Sequence, residues 1–264
     1  MKFVQLWAQR MLGIADMRLI RLPSEKQLVS SLRRLRPSTT EHPLIRVGGD
    51  NDGGYLLPDD LEGISACFSP GVGYHSEFEL ALANRGIPSF MADYSVDGPA
   101  SSNDLFTFEK KFLGYETTDN TLRLSEWVNS CAAPEGDLLL QMDIEGAEWS
   151  VLIDSPEELL RRFRIIVLEL HYIDRLALQA DIELLDAMLT KLTRDFDVVH
   201  VHPNNVVRPT RYKGAQIHPL LEVTLLRKDR SVHRTWTREF PHPLDQPAVA
   251  DKPEVVLAKC MWAD

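Results

Sequence analysis

The spacing of apolar residues changes several times along the chain, and each spacing predicts a different element. Phe3, Trp7, Met11 and Ile14 recur on one stripe of MKFVQLWAQRMLGIADMRLIRL, which predicts an amphipathic helix. Ser24 and Gln27 form a capping-box pattern ahead of Leu28, Val29 and Leu32, so a second helix is expected to follow. From about residue 64 short apolar runs alternate with amphipathic stretches. SACFS (65–69), SFMADY (89–94), DLLLQMD (137–143) and RIIVLEL (164–170) read as buried strands. Residues 76–85, with Ser76 and Glu79 as a capping box, read as a helix. So do 125–131, capped by Ser125, 156–163 and 181–194, while 105–112 fits strand or helix. DVVHVH (197–202) and LLEVTLL (220–226) are strands with no helix-length pattern between them, which predicts an antiparallel pair at one sheet edge.

Alternation of apolar strands with helices predicts an α/β, Rossmann-like fold, a mostly parallel sheet of seven strands with helices on both faces. Three parts are expected: a basic helical extension (1–37), the sheet domain (38–230), and a tail (231–264). Pro241, Pro243, Pro247 and Pro253 make that tail extended or loosely packed.

Charge sharpens this division. The 264 residues carry 39 acids against 29 Lys and Arg, a formal charge of −10, which argues against nucleic acid as a partner. Residues 1–37 run the other way, with Lys2, Arg10, Arg18, Arg21, Lys26, Arg33, Arg34 and Arg36 against Asp16 and Glu25. Such a helix packs on its own domain or on a second copy of the chain, or lies on an anionic membrane. It lacks the apolar core and cleavage site of a signal peptide. Cys67, Cys131 and Cys260 make neither a disulfide framework nor a CxxC pair, which favours a reducing compartment. With no apolar run long enough to span a bilayer, the expectation is a cytoplasmic protein, touching the inner membrane face only through residues 1–37.

In a sheet of this kind ligands bind beyond the carboxyl ends of the strands. Polar residues gather there: Ser69-Pro70-Gly71-Val72-Gly73, Asp93, Asp143-Ile144-Glu145, Glu169-Leu170-His171 and His202-Pro203-Asn204-Asn205. Gly71 and Gly73 let backbone approach a ligand ahead of a helix N-terminus. Asp93, ending the next strand, is placed to accept hydrogen bonds from both hydroxyls of a ribose. A third glycine is missing, since position 76 is Ser76, and Glu77 and Glu79 in the helix's first turn repel a pyrophosphate. A nucleoside without phosphates, cationic as in S-adenosylmethionine (SAM), suits this surface better than a dinucleotide.

MDIEGAEWSVL (142–152) followed by IIVLELH (165–171) resembles the FkbM-like group of SAM-dependent methyltransferases. RVGGDNDGGYLLPDDL (46–61), CFSPGVGYHSEFE (67–79), ADYSVDGP (92–99), the HPNN element and LEVTLLRK (221–228) are similar to it as well, over roughly residues 43–228. The resemblance implies a class I methyltransferase fold and methyl transfer from SAM to an oxygen, often a sugar hydroxyl of a cell-surface glycan or secondary metabolite. It implies SAM contacts at Ser69, Gly71, Gly73, Tyr74, His75, Asp93, Tyr94 and Asp143. One departure stands out. The acid usual two residues before the first glycine is Ser69 here, which leaves the SAM amino group without an assigned partner.

A sugar hydroxyl is a poor acid, so its methylation needs a base or a metal. Asp143, Glu169 and His171 end neighbouring strands and are the candidates. Either His171 or Asp143 is a general base, or the three hold a divalent cation, Mg²⁺ or Ca²⁺ for so oxygen-rich a set. Acceptor contacts are expected from Asp52 and Tyr55, on a DGGY loop folding over the site, and from Glu145, Asn204 and Asn205. His200 and His202 share one strand face, a metal pattern without a suitably spaced third ligand. Two rivals stay open. One is an NAD(P)-dependent oxidoreductase on a similar sheet. The other is a non-catalytic domain that binds glycan or protein through its basic helices.

Overall fold

The computed structural model describes residues 22–131, 133, 135–177 and 179–263. The amphipathic stripe of Phe3, Trp7, Met11 and Ile14 lies outside them. Seven strands form the central sheet: β1 (Ile64–Pro70), β2 (Ser89–Ala92), β3 (Phe106–Glu109), β4 (Asp137–Met142), β5 (Phe163–Leu170), β6 (Phe196–Pro203) and β7 (Leu221–Arg227). Their order across the sheet is β6-β7-β5-β4-β1-β2-β3. Only β7 runs against its neighbours, pairing antiparallel with both β5 and β6. The sequence pattern explains the centre: every residue of FRIIVLEL is buried, as a strand covered on both faces requires. The ambiguous stretch 105–112 contains β3, at the far edge.

Seven helices accompany the sheet among the described residues: α1 (Glu25–Leu32), α2 (Glu77–Ala83), α3 (Leu124–Cys131), α4 (Glu148–Asp154), α5 (Glu157–Leu160), α6 (Gln179–Asp195) and α7 (Lys259–Trp262). The capping box at Ser24 and Gln27 is formed in both directions. Three sequence expectations fail locally. Ser76 occupies the N-cap of α2 but makes no capping hydrogen bond, because Glu79 turns inward to the sheet instead of back to the cap. Helix α3 begins one residue before Ser125, at Leu124. Helix α5 stops at Leu160, and Phe163 opens β5 because its ring is fully buried in the core.

The described parts of both flanking segments pack on the sheet. Leu28, Leu32 and Leu35 share one apolar core with the sheet, and so do Leu257, Ala258 and Met261 of the tail. Extended chain runs to that anchor: Asn205 donates to the carbonyls of Val249 and Lys252 and accepts from Val249 N–H at 2.8 Å. No described helix is long and apolar enough to cross a membrane.

Candidate active site

A cavity of about 860 Å³ opens at the carboxyl ends of β1, β2 and β4. Its floor is the turn after β1. Gly71 has φ +85°, and a Cβ there would lie 1.6 Å from the Asp143 carbonyl oxygen, so only glycine lets the β1 and β4 ends approach this closely. Gly73, φ +49°, donates its N–H to Asp93 Oδ2 at 2.9 Å. Asp93 Oδ1 accepts from both the N–H and the hydroxyl of Ser95 at 2.7 Å. Asp93 is thus buried on the wall and braces the glycine turn, with carboxylate lone pairs remaining for a ligand. Tyr74, 81% exposed, and His75 stand on the wall beside the turn, while Phe112 and Leu113 add apolar surface. Tyr94 is not on the wall; its ring packs on Phe112 at 5.3 Å.

The inner wall is polar. Tyr55 does not sit on a covering loop. It opens a strand (Tyr55–Pro58), is buried, and meets Phe78 edge-on at 5.7 Å. Asp52 and Gly53 from the preceding turn do line the cavity. Gln141 spans the Tyr55 hydroxyl, 3.3 Å from its Nε2, and Ser69 Oγ, 2.6 Å from its Oε1. Ser69 Oγ also lies in a short hydrogen bond with Glu79. Glu79 and Gln141 both face the cavity; the sequence reading expects neither as a ligand contact and assigns Glu79 only a capping role and a repulsive one toward pyrophosphate. The available signal was one polar residue inside the apolar run DLLLQMD.

Asp143 follows β4 directly and lies on the same wall. Burial, then the Glu169 charge, push its pKa far above the carboxylate range, and a hydrogen bond joins the two carboxyls. Burial also pushes Glu169 up, to about 7, against the pull of that hydrogen bond. Two carboxyls this close cannot both ionise, so the pair keeps one proton at neutral pH. Asp143 Oδ1 is buried and has no hydrogen-bond partner among the described residues. Asn204, buried, donates to Glu169 Oε1 at 2.6 Å and so positions the pair from behind. Asn204 and Asn205 are both committed to the protein and do not line the cavity.

His171 Nδ1 faces the Glu169 carbonyl at 3.1 Å and Glu148 Oε1 at 3.2 Å, two acceptors, which fixes the proton on Nδ1. Nε2 then looks toward Glu145 Oε2 at 3.3 Å and Asp143 Oδ1 at 3.8 Å. Burial opposes a charged ring, but the Glu148 hydrogen bond and the charges of Glu148, Asp143 and Glu145 outweigh it and raise the His171 pKa. Glu148 is fully buried at the start of α4 and also accepts from Ile144 N–H at 2.8 Å. The turn between them is left-handed at Glu145 (φ +56°) and Gly146 (φ +100°); a Cβ on Gly146 would strike the Tyr172 ring at 2.4 Å. That turn sends the Glu145 side chain, 84% exposed, to the cavity mouth.

The cation set expected from sequence, Asp143, Glu169 and His171, is not assembled, because Glu169 is held by Asn204 and by the proton shared with Asp143. Asp143, Glu145 and His171 do bring one atom each within 4.8 Å, but their mutual contacts already account for that approach, and one of the three is a ring nitrogen. This donor set does not fit Mg²⁺, which prefers six oxygens in near-ideal octahedral geometry. His202 spends both ring nitrogens on Glu222 and Glu254, and His200 gives Nε2 to Asp245 while its buried Nδ1 has no partner among the described residues.

The profile of the methyltransferase FkbM domain matches residues 50–197, more than half of the chain. The chain belongs to the FkbM methyltransferase family. Its matched part runs from the turn before Tyr55 through β1, β4 and β5 and ends inside β6, so it contains every residue of the cavity wall. No curated protein matches the chain.

Proposed function

We propose that the protein transfers a methyl group from SAM to a hydroxyl, that of a sugar or glycan. The observation that supports this most is the single cavity joining the Gly71–Gly73 turn and Asp93 to the Asp143 carboxyl. Its volume, about 860 Å³, suits a nucleoside amino acid with part of an acceptor. Asp93 would hold the ribose, and the glycine turn would lie along the ligand. When bound, SAM supplies a methyl group on a cationic sulfur.

The chain's own task is to remove the acceptor proton. Asp143 is the member of the acid–histidine group on the cavity wall; Glu169 and His171 stand behind it. The acceptor O–H proton passes to the Asp143 carboxyl as the proton already on Asp143 passes to Glu169. Charge is conserved, and the proton ends on a group poised at about 7, near the working pH of a cell. The His171 ring stands behind Asp143, with Nε2 3.8 Å from Oδ1, and Glu145 at the mouth offers a carboxylate to sugar hydroxyls.

Calorimetry with S-adenosylhomocysteine (SAH) tests the cofactor. Wild type should bind, Asp93→Ala should bind at least about tenfold more weakly, as expected for losing a charged hydrogen-bond acceptor, and Mg²⁺ should not alter the heat. Folded wild type that ignores SAH would overturn the reading. Methyl transfer to a panel of free glycosides, followed by mass spectrometry, tests the acceptor class.

A further inference from the structure

We propose that Glu79 is the anion that receives the α-ammonium group of the cofactor's methionine half, replacing the acid that Ser69 lacks. The inference rests on the SAM reading above.

Its first support is position. Glu79 stands in the first turn of α2, immediately after the glycine turn, and its carboxylate meets the hydroxyl of Ser69, two residues before Gly71. An acid that would come from the strand arrives instead from the helix, at the tip of the same side chain. Glu79 also lines the cavity, together with Gly71, Gly73 and Gln141.

Its second support is isolation. Glu79 is 3% exposed, and among the described residues no Lys or Arg is found paired with it. The charges around it are unhelpful: burial, and then the Glu77 charge, raise its pKa against the Ser69 hydrogen bond. A buried carboxyl without a cation is costly. A tie between α2 and β1 could be made by any neutral pair, so the fold alone does not call for an acid here. An ammonium group supplies what is missing, because it carries one positive charge and three donors. Glu79 offers it a carboxylate held in place by Ser69, and Ser69 in turn is fixed by Gln141, itself held to Tyr55.

The test compares three ligands by calorimetry: SAH, its analogue with a ketone in place of the amine, and 5′-methylthioadenosine, which keeps the nucleoside and the sulfur but has no amino-acid part. Wild type should prefer SAH over the ketone by about 10- to 100-fold, the worth of a hydrogen bond to a charged group. Glu79→Gln should lose that preference while binding methylthioadenosine within about twofold of wild type, a readout that a folding defect would not leave intact. If Glu79→Gln does not fold, the wild-type pair decides, and equal affinity for SAH and the ketone overturns the proposal. Wild type that binds SAH, with Glu79→Gln binding it equally well, overturns the Glu79 assignment alone. Wild type that binds neither SAH nor methylthioadenosine overturns the cofactor reading and this proposal together.

Discussion

β4 and β5 carry charged residues at both ends, and the two ends treat them in opposite ways. At the amino ends Arg164, 5% exposed, donates to Asp137 Oδ2 at 2.8 Å and to the Asp60 and Glu62 carbonyls at 2.9 and 2.6 Å. Arg227 takes the other oxygen of Asp137 at 2.6 Å, and Arg230 grips both oxygens of Asp60 at 2.8 Å. Each acid there meets two guanidinium groups, and the pKa of Asp137 is lowered in spite of burial. At the carboxyl ends Asp143 and Glu169 have no arginine or lysine partner among the described residues; they have each other, and both are raised. The same strands therefore show what acids look like when they serve the fold and when they hold a proton. Structural acids receive fixed cations that keep them ionised. The acids at the cavity end have no fixed cation, and burial with their mutual charge keeps a proton on the pair.

The largest effect expected from this contrast is at the cavity end. Glu169→Gln removes the final proton acceptor but keeps an oxygen for Asn204 and for Asp143. Methyl transfer should fall about 10²- to 10⁴-fold, while the melting temperature holds or rises. Rates measured beside a thermal melt check this, and a variant that unfolds while keeping its activity per folded molecule would reverse the assignment. Next comes the amino end. Arg164→Met leaves Asp137 with Arg227 and Asp60 with Arg230 as their one remaining guanidinium each and strips the Asp60 and Glu62 carbonyls of the Arg164 donor, and the loss should be about 3–5 kcal/mol of stability by urea unfolding. Activity per folded molecule should stay unchanged. Equal losses of activity in both variants would mean that the two ends are not distinct in role.

Much of the sheet was readable from sequence, because long apolar runs such as RIIVLEL leave few alternatives to a buried strand. The strand-end rule also points to Gly71, Asp93 and Asp143, and one cavity holds all three. What stayed hidden depends on side-chain direction and long-range contact. Glu79 read as a capping acid because the local pattern with Ser76 is right; only the packing of α2 on β1 turns it toward Ser69. Asn204 and Asn205 read as sugar ligands because amides after a strand suit that task. Their actual partners, Glu169 and the segment around Val249, lie 35 and 44 residues away in the chain. Prolines make the tail read as extended or loosely packed, and extended chain can still be anchored, here by Leu257 and Met261.

The smallest effect comes from a cluster between the two regimes. Across the sheet, Glu169 pairs in register with Glu222, and Glu222 with His202. His202 is the cation of this row, held at 3.3 Å from Glu222 and 2.8 Å from Glu254. Burial opposes its charge, but the hydrogen bond and charge of Glu222, then Asp245 and Glu254, lift its pKa to about 9. A histidine raised above its unfolded value stabilises the fold fully below about 6.5, and the contribution disappears as pH rises through about 9. Wild type should therefore lose about 2 to 3 kcal/mol between pH 6.5 and 9.5, beyond whatever His202→Gln loses over the same range. Comparing the two proteins matters because buried Cys67, whose thiol is also raised, destabilises the fold at high pH in both. If the two curves run parallel, His202 is not an imidazolium in the folded protein. Glu222 would then be a further acid left without a cation, and the cavity-end regime would reach from β4 across to β7.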